Sequence, residues 1–381
     1  MKRTVHIFLI LGLIMPVGGS FLAYGEISVS TGVRYDTFHD DHSLETNGVE
    51  VTIPLGMTYE RDNLFLSVET AYSHANVEPG AGSDSSISSV TDTLISASYL
   101  FPDLPVGLIA GVDMNVPTGK EQLDNQQRQA EFGENHDLFE VDDFGEGWNV
   151  GMSLGLIKEF ETLQMGINGA YIFNGEFDPT SDIPEDDLDP GDQMLVLALL
   201  NWQVSSRFTL VSSVTYSRFT ADTVNGDKDF REGDSIIIGS DLQVDLAPVE
   251  VFISLQDTIQ AKNEELAGDR LETEAQNSNG NTLFSLIEIS YEYSPKLSPR
   301  FMSDFRYYGK SGRKNETSGL PYEGKRIRYA VGPGLMYTLD DQLFCHGVLT
   351  YVWMKQDRGT TLDQETTFQG VNLSVGVTYT F

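Results

Sequence analysis

The chain of 381 residues holds one cysteine, Cys345. A single thiol excludes an internal disulfide framework and a thiolate metal cluster. Basic residues are scarce: 24 Lys and Arg stand against 57 Asp and Glu, giving a formal charge of −33. Such a surface repels nucleic acid, because binding there requires Lys and Arg at the phosphates. Long apolar runs are missing beyond residue 25. Without a stretch of about 20 apolar residues, that part of the chain supplies no membrane-spanning helix. Catalytic constellations are missing too. Of the histidines after residue 25, His346 has no serine two residues away, and His74 follows Ser73 at a strand end. His39-Asp40-Asp41-His42 reads as an exposed loop rather than a metal site. No enzyme activity, metal or cofactor is expected.

What is present begins with an export signal. Lys2 and Arg3 precede an almost wholly apolar segment from Ile7 to Val17. Ala23-Tyr24-Gly25 then puts small side chains at −3 and −1 of a cut before Glu26. This is the pattern of a secretory signal peptide. The expected organisation is a signal peptide at 1–25 and one outer-membrane β-barrel at 26–381.

The barrel expectation rests on a period of two. From Val371 to Phe381, the residues Val371, Leu373, Val375, Val377, Tyr379 and Phe381 share one face. Asn372, Ser374, Gly376, Thr378 and Thr380 share the other. Strict alternation marks a strand with one apolar face, which in a membrane barrel points to lipid. The pattern recurs around Leu64–Ser73, Trp148–Ile157, Phe208–Ser217 and Val249–Gln256.

Connections alternate in length. Tight links lie at Arg61 to Asn63, Pro102 to Pro105, Glu161-Thr162, Ser205 to Arg207, Ala247-Pro248, Ser294 to Pro299 and Asp340 to Gln342. Between them run longer polar stretches: His39 to Asn47, Glu78 to Ser85, Gly119 to Gly147, Glu176 to Asp192, Asp222 to Asp234, Lys262 to Asn281, Gly312 to Lys325 and Asp357 to Glu365. Seven short links and eight long loops imply sixteen antiparallel strands, or fourteen if a weak pair is miscounted. The expected fold is therefore all-β, an antiparallel transmembrane β-barrel with short periplasmic turns and long acidic extracellular loops. Aromatic residues at strand ends fit the two bilayer interfaces.

A barrel of sixteen strands encloses more space than wall side chains fill, which implies a passage. Alternation turns Arg34, Glu69, Asp92, Asp113, Asn115, Asp241, Glu250, Glu288, Asp304, Arg306 and Arg328 inward. Acids outnumber bases there, which suits cations or ordinary Arg–carboxylate pairing. Leu195, Leu197, Leu199, Ile237, Phe252 and Leu286 are also expected on the lumen side. They suit either an apolar solute or the underside of an infolded loop. Gly119 to Gly147, the longest loop, is the segment best able to narrow the channel.

The stretch from Val106 to Gly119, ending Pro117-Thr118-Gly119, is followed at a distance by Phe144-Gly145-Glu146-Gly147 and a new strand. It resembles the hallmark of outer-membrane proteins of the MetA-pathway-of-phenol-degradation type, distant relatives of the long-chain fatty-acid transporters. The resemblance implies passive uptake of aromatic or other apolar small molecules. Fatty-acid transporters carry an N-terminal hatch before strand one; here strand one is expected near Ile27, so a plug is expected from a loop. The end Tyr379-Thr380-Phe381 resembles the signal read by the barrel-assembly machinery. The expected partners are that machinery, outer-membrane lipid and lipopolysaccharide, and a small-molecule solute; the sequence sets no oligomeric state. Two alternatives stay open: a cation-preferring general porin, and a structural surface barrel displaying acidic loops.

Overall fold

In a computed structural model of the chain, the structure describes residues 26–41, 46–79, 84–101, 104–131, 138–141, 144–181, 187–311, 324–358 and 365–381. Residues 1–25, expected to be a signal peptide, lie outside them, as do His42 and His136.

Sixteen strands form the barrel: β1 (Glu26–Asp40), β2 (Asn47–Arg61), β3 (Leu64–Glu78), β4 (Ser85–Val90, resumed as Thr93–Phe101), β5 (Gly107–Val116), β6 (Asn149–Glu159), β7 (Leu163–Asn174) and β8 (Gln193–Ser205). They continue as β9 (Phe208–Phe219), β10 (Ser235–Leu246), β11 (Val249–Gln260), β12 (Thr282–Tyr291), β13 (Leu297–Tyr308), β14 (Arg326–Thr338), β15 (Leu343–Gln356) and β16 (Thr366–Thr380). Each pairs antiparallel with the next, and β1 pairs with β16 from Ser28 opposite Thr380 to Asp40 opposite Phe368. That seam closes the sheet, so no edge remains to be satisfied in lipid.

The alternation has the expected consequence. On β6, Met152, Leu154 and Leu156 are exposed; on β10, Ile236 and Ile238 are, while Ile237 between them is buried. An apolar outer face of this kind is stable against hydrocarbon rather than water. Tyr99, Phe101, Phe160, Trp202, Phe208, Tyr291 and Tyr337 are exposed toward the short-turn end, and Tyr35, Tyr72 and Tyr171 toward the other. These are the two interfacial belts.

Several details depart from the sequence reading. Pro299, assigned to a turn, lies within β13 opposite Leu335. The fourth strand breaks at Thr91-Asp92: its first segment pairs with the end of β3 and its second with the start. Four of the long loops are not simple coil. Asp222–Val224 and Asp227–Arg231 form a hairpin whose turn holds Asn225 at φ 52° and Gly226 at φ 83°. Glu264–Ala267 and Arg270–Thr273 form another, and with Leu188–Asp189 these segments build a separate five-stranded sheet. The Asn-Gly turn dictates the first hairpin, since both positions need positive φ. Gly119 to Gly147 also contains a helix, α1 (Asn125–Glu131). Asp124 starts it by accepting from Gln127 N at 2.9 Å, while the Gln127 side chain accepts from Asp124 N at 3.2 Å. This reciprocal pair is a capping box.

Candidate channel interior

The break in β4 frees Asp92 to gather the neck of the longest loop. Its carboxylate accepts from Gly119 N at 2.9 Å, Glu146 N at 2.9 Å and Asn115 Nδ2 at 2.6 Å. Asp92 N donates in turn to Phe144 O at 3.1 Å. Thr118, following Pro117, donates through its hydroxyl to Thr91 O at 3.0 Å, and Asn115 also donates to Gly147 O at 2.8 Å. A Cβ on Gly119 would stand 1.7 Å from Phe144 O, and one on Gly145 would meet the Lys120 and Glu121 backbone at 3.0 and 3.1 Å. Gly147 has φ +80°. Pro117, Thr118, Gly119, Phe144, Gly145 and Gly147 therefore converge on one place, where two backbone strands nearly touch.

From this neck the loop enters the barrel. Leu123, Ala130, Leu138, Phe139 and Phe144 are buried in one cluster with Phe38, Ala75, Val77, Ile87, Ala330, Val352, Met354 and Phe368. The latter are inward residues of β1, β3, β4, β14, β15 and β16. The Phe139 ring lies 5.3 Å from that of Phe38, which lies 6.2 Å from Phe368. Gly48 makes room, because a Cβ there would stand 1.9 Å from Phe38 Cε1. Polar contacts hold the same tip. Glu50, fully buried on β2, accepts from Glu140 N at 2.7 Å and Val141 N at 3.3 Å. It also accepts from Ser73 Oγ at 2.7 Å and Thr52 Oγ1 at 3.1 Å on the wall. Arg34 bridges Glu140 and, at 2.8 Å, Asp36.

The other inward charges are largely paired. Arg300 meets Glu288 at 3.1 Å, and Asp304 is shared between Arg306, at 3.5 Å, and Arg328. Arg306 also lies over the Phe284 ring at 5.6 Å. Ser96 donates to Asp113 at 2.6 Å, and Gln243 to Glu250 at 2.6 Å. Glu69 shares its strand face with Ser73 and Ala75, and Asp241 shares one with Ile237.

The six apolar residues expected in the lumen fall into two groups. Leu195 and Leu197 of β8 and Ile237 of β10 are buried, with Leu197 and Ile237 both opposite Thr215 of β9. Leu199, further along the same face of β8, is half-buried. Phe252 of β11 and Leu286 of β12, both half-buried, form the second group. None belongs to the cluster around the loop, so the loop's apolar seat is on the wall across β14–β16 and β1–β4. Sequence reasoning missed Phe38, Met354 and Phe368, as well as Asp36 and Glu50. The available signal was apolar residues at inward positions where a water-filled wall needs polar ones.

At the C-terminus, Phe381 N donates to Ile27 O at 2.8 Å, and the Tyr379 and Phe381 rings are 4.7 Å apart. His39 Nδ1 lies 2.9 Å from Asn47 Oδ1. Among the described residues no group of three or more His, Cys, Asp or Glu side chains is arranged to hold a metal ion.

The family described as MetA-pathway of phenol degradation matches residues 16–270, more than half of the chain. No curated protein matches the sequence. Similar solved structures include a TodX ΔS2S3 mutant described as a monoaromatic hydrocarbon channel, with 11% identity, 94% of this chain and 90% of that one covered, and a TM-score of 0.47. The P. putida toluene transporter TodX shows 10% identity, the same coverages of 94% and 90%, and a TM-score of 0.44. OccK7 (OpdD) of Pseudomonas aeruginosa shows 13% identity, coverages of 94% and 99%, and a TM-score of 0.43. With its closed barrel, apolar outer face and aromatic belts, this chain is an integral outer-membrane protein and belongs to the MetA-pathway-of-phenol-degradation family.

Proposed function

We propose that the protein is a passive channel for small apolar, chiefly aromatic, solutes. The observation that carries this reading is the apolar lumen side of β8 and β10–β12, where Leu195, Leu197, Leu199, Ile237, Phe252 and Leu286 alternate with lipid-facing residues. A wall built only for water and ions does not need them. The family's description by phenol degradation supports an aromatic cargo. On this reading the solute passes between the infolded loop and the apolar wall. Removing apolar surface from water favours entry by roughly 25 cal/mol per Å². Several small stations, rather than one deep pocket, keep the solute from being trapped. Residues 1–25 direct export, and Tyr379 and Phe381 present the signal for the assembly machinery, leaving the barrel in lipid and lipopolysaccharide.

The test is uptake into liposomes containing the refolded full-length barrel. Phenol and toluene are expected to enter faster than in protein-free vesicles, and Phe252→Asn with Leu286→Asn to slow them. Equal entry with and without the protein would refute the proposal.

A further inference from the structure

The tip of the infolded loop is held by two unlike contacts. One is polar: Glu50 takes the Glu140 and Val141 N–H groups while keeping the Ser73 and Thr52 hydroxyls. If the tip leaves, Glu50 retains its two wall donors and is not stranded as an unpartnered buried charge. The other contact is an aromatic ring in an apolar seat. Phe139 lies against Phe38 at 5.3 Å with planes inclined by 56°, in the cluster that includes Val352, Met354 and Phe368. That tilted packing is one any small aromatic ring can reproduce. The neck is different in kind, because it is fixed by backbone contacts at Asp92 and Gly119. The neck is thus a hinge, and the tip is a catch.

We infer that the seat filled by Phe139 is a binding site for a small aromatic solute, and that a solute ring taking that seat releases the loop tip and widens the passage. The inference deepens the reading of the protein as an aromatic-solute channel and rests on it. Phe139 stands in for the cargo when none is bound. Glu50 is a positioning residue that returns the tip to the wall.

The test uses full-length barrel in liposomes, with Cys345→Ser and Leu138→Cys, and a membrane-impermeant maleimide added outside. Leu138 is 2% exposed, so labelling is expected to be slow without solute. Phenol or toluene is expected to accelerate it roughly tenfold or more, glucose to leave it unchanged, and Glu50→Gln to accelerate it without solute, as loss of bonds to a charged acceptor requires. Fast labelling without solute, or a rate indifferent to both aromatics, overturns the inference. Uptake of phenol without any change in labelling leaves the channel standing and removes the gate. Aromatic-dependent labelling without uptake keeps the site and removes the channel. Should the cysteine variant fail to fold, single-channel recording on the unaltered protein tests the same gate: phenol must raise open probability, and unchanged gating refutes the site.

Discussion

At Gly119 one methyl group is too many. The added Cβ would sit 1.7 Å from Phe144 O, on backbone that cannot rotate away. Gly119→Ala is expected to cost about 1–3 kcal/mol, the range for overpacking a closed site. The urea midpoint of the refolded barrel measures it, and an unchanged midpoint contradicts the tight neck. Beside it, burial raises the Glu121 carboxyl above its ordinary range, with Asp92 adding to the effect. The folded protein then holds that proton more tightly than the unfolded chain. The resulting penalty is absent below the unfolded value, grows as pH rises, and is complete above the folded one. Glu121→Gln is therefore expected to stabilise the barrel at neutral pH and to lose that advantage as the solution is acidified toward the ordinary carboxylate value. Unfolding curves of both proteins across that range decide it; a gap independent of pH would show that Glu121 carries no such penalty.

For a strand, the deciding property is which solvent each face meets. Leu154 is 58% exposed on the outer face of β6, so Leu154→Arg is expected to cost about 2–4 kcal/mol near the bilayer midplane. Gln243→Arg, on the lumen face of β10 opposite Phe252 and bonded to Glu250, keeps a carboxylate partner and should cost far less. Equal losses in urea unfolding would contradict the assigned faces. This two-solvent rule is why the strands were legible: every outward position repeats the same demand, and loop lengths fix the parity of the hairpins. The fate of the longest loop was not legible in that way. Its apolar residues, Leu123, Ala130, Leu138, Phe139 and Phe144, are irregularly spaced in an acidic segment, so no period announces a buried face. Their seat comes from six strands distant in sequence. The capping box at Asp124 and Gln127 and the Asn225-Gly226 turn were local signals already in the sequence, and they account for the helix and one of the loop hairpins. Glu50 and Asp36 could not be singled out, because an inward acid looks the same whether it lines water or clasps a loop.

The whole molecule is strongly acidic, but the barrel does not distribute its charges evenly. Four inward bases are neutralised locally, since Arg34 meets Asp36, Arg300 meets Glu288, and Arg306 and Arg328 meet Asp304. Glu69, Asp113, Asp241 and Glu250 add carboxylates on β3, β5, β10 and β11, where no Lys or Arg faces inward among the described strand residues. Acidic linings favour cations, yet at physiological salt the Debye length is about 8 Å, so the preference should be modest and grow on dilution. In a planar bilayer under a KCl gradient, the reversal potential is expected to have the sign for K⁺. Asp241→Asn combined with Glu250→Gln should move it toward zero while leaving toluene uptake into liposomes nearly unchanged. On the proposed reading, ion preference follows from the acidic wall, whereas apolar passage follows from β8, β10–β12 and the loop tip. A reversal potential favouring chloride would refute the electrostatic assignment, and a fall in toluene uptake alongside the charge change would show that ions and solute share one route rather than two linings of the same barrel.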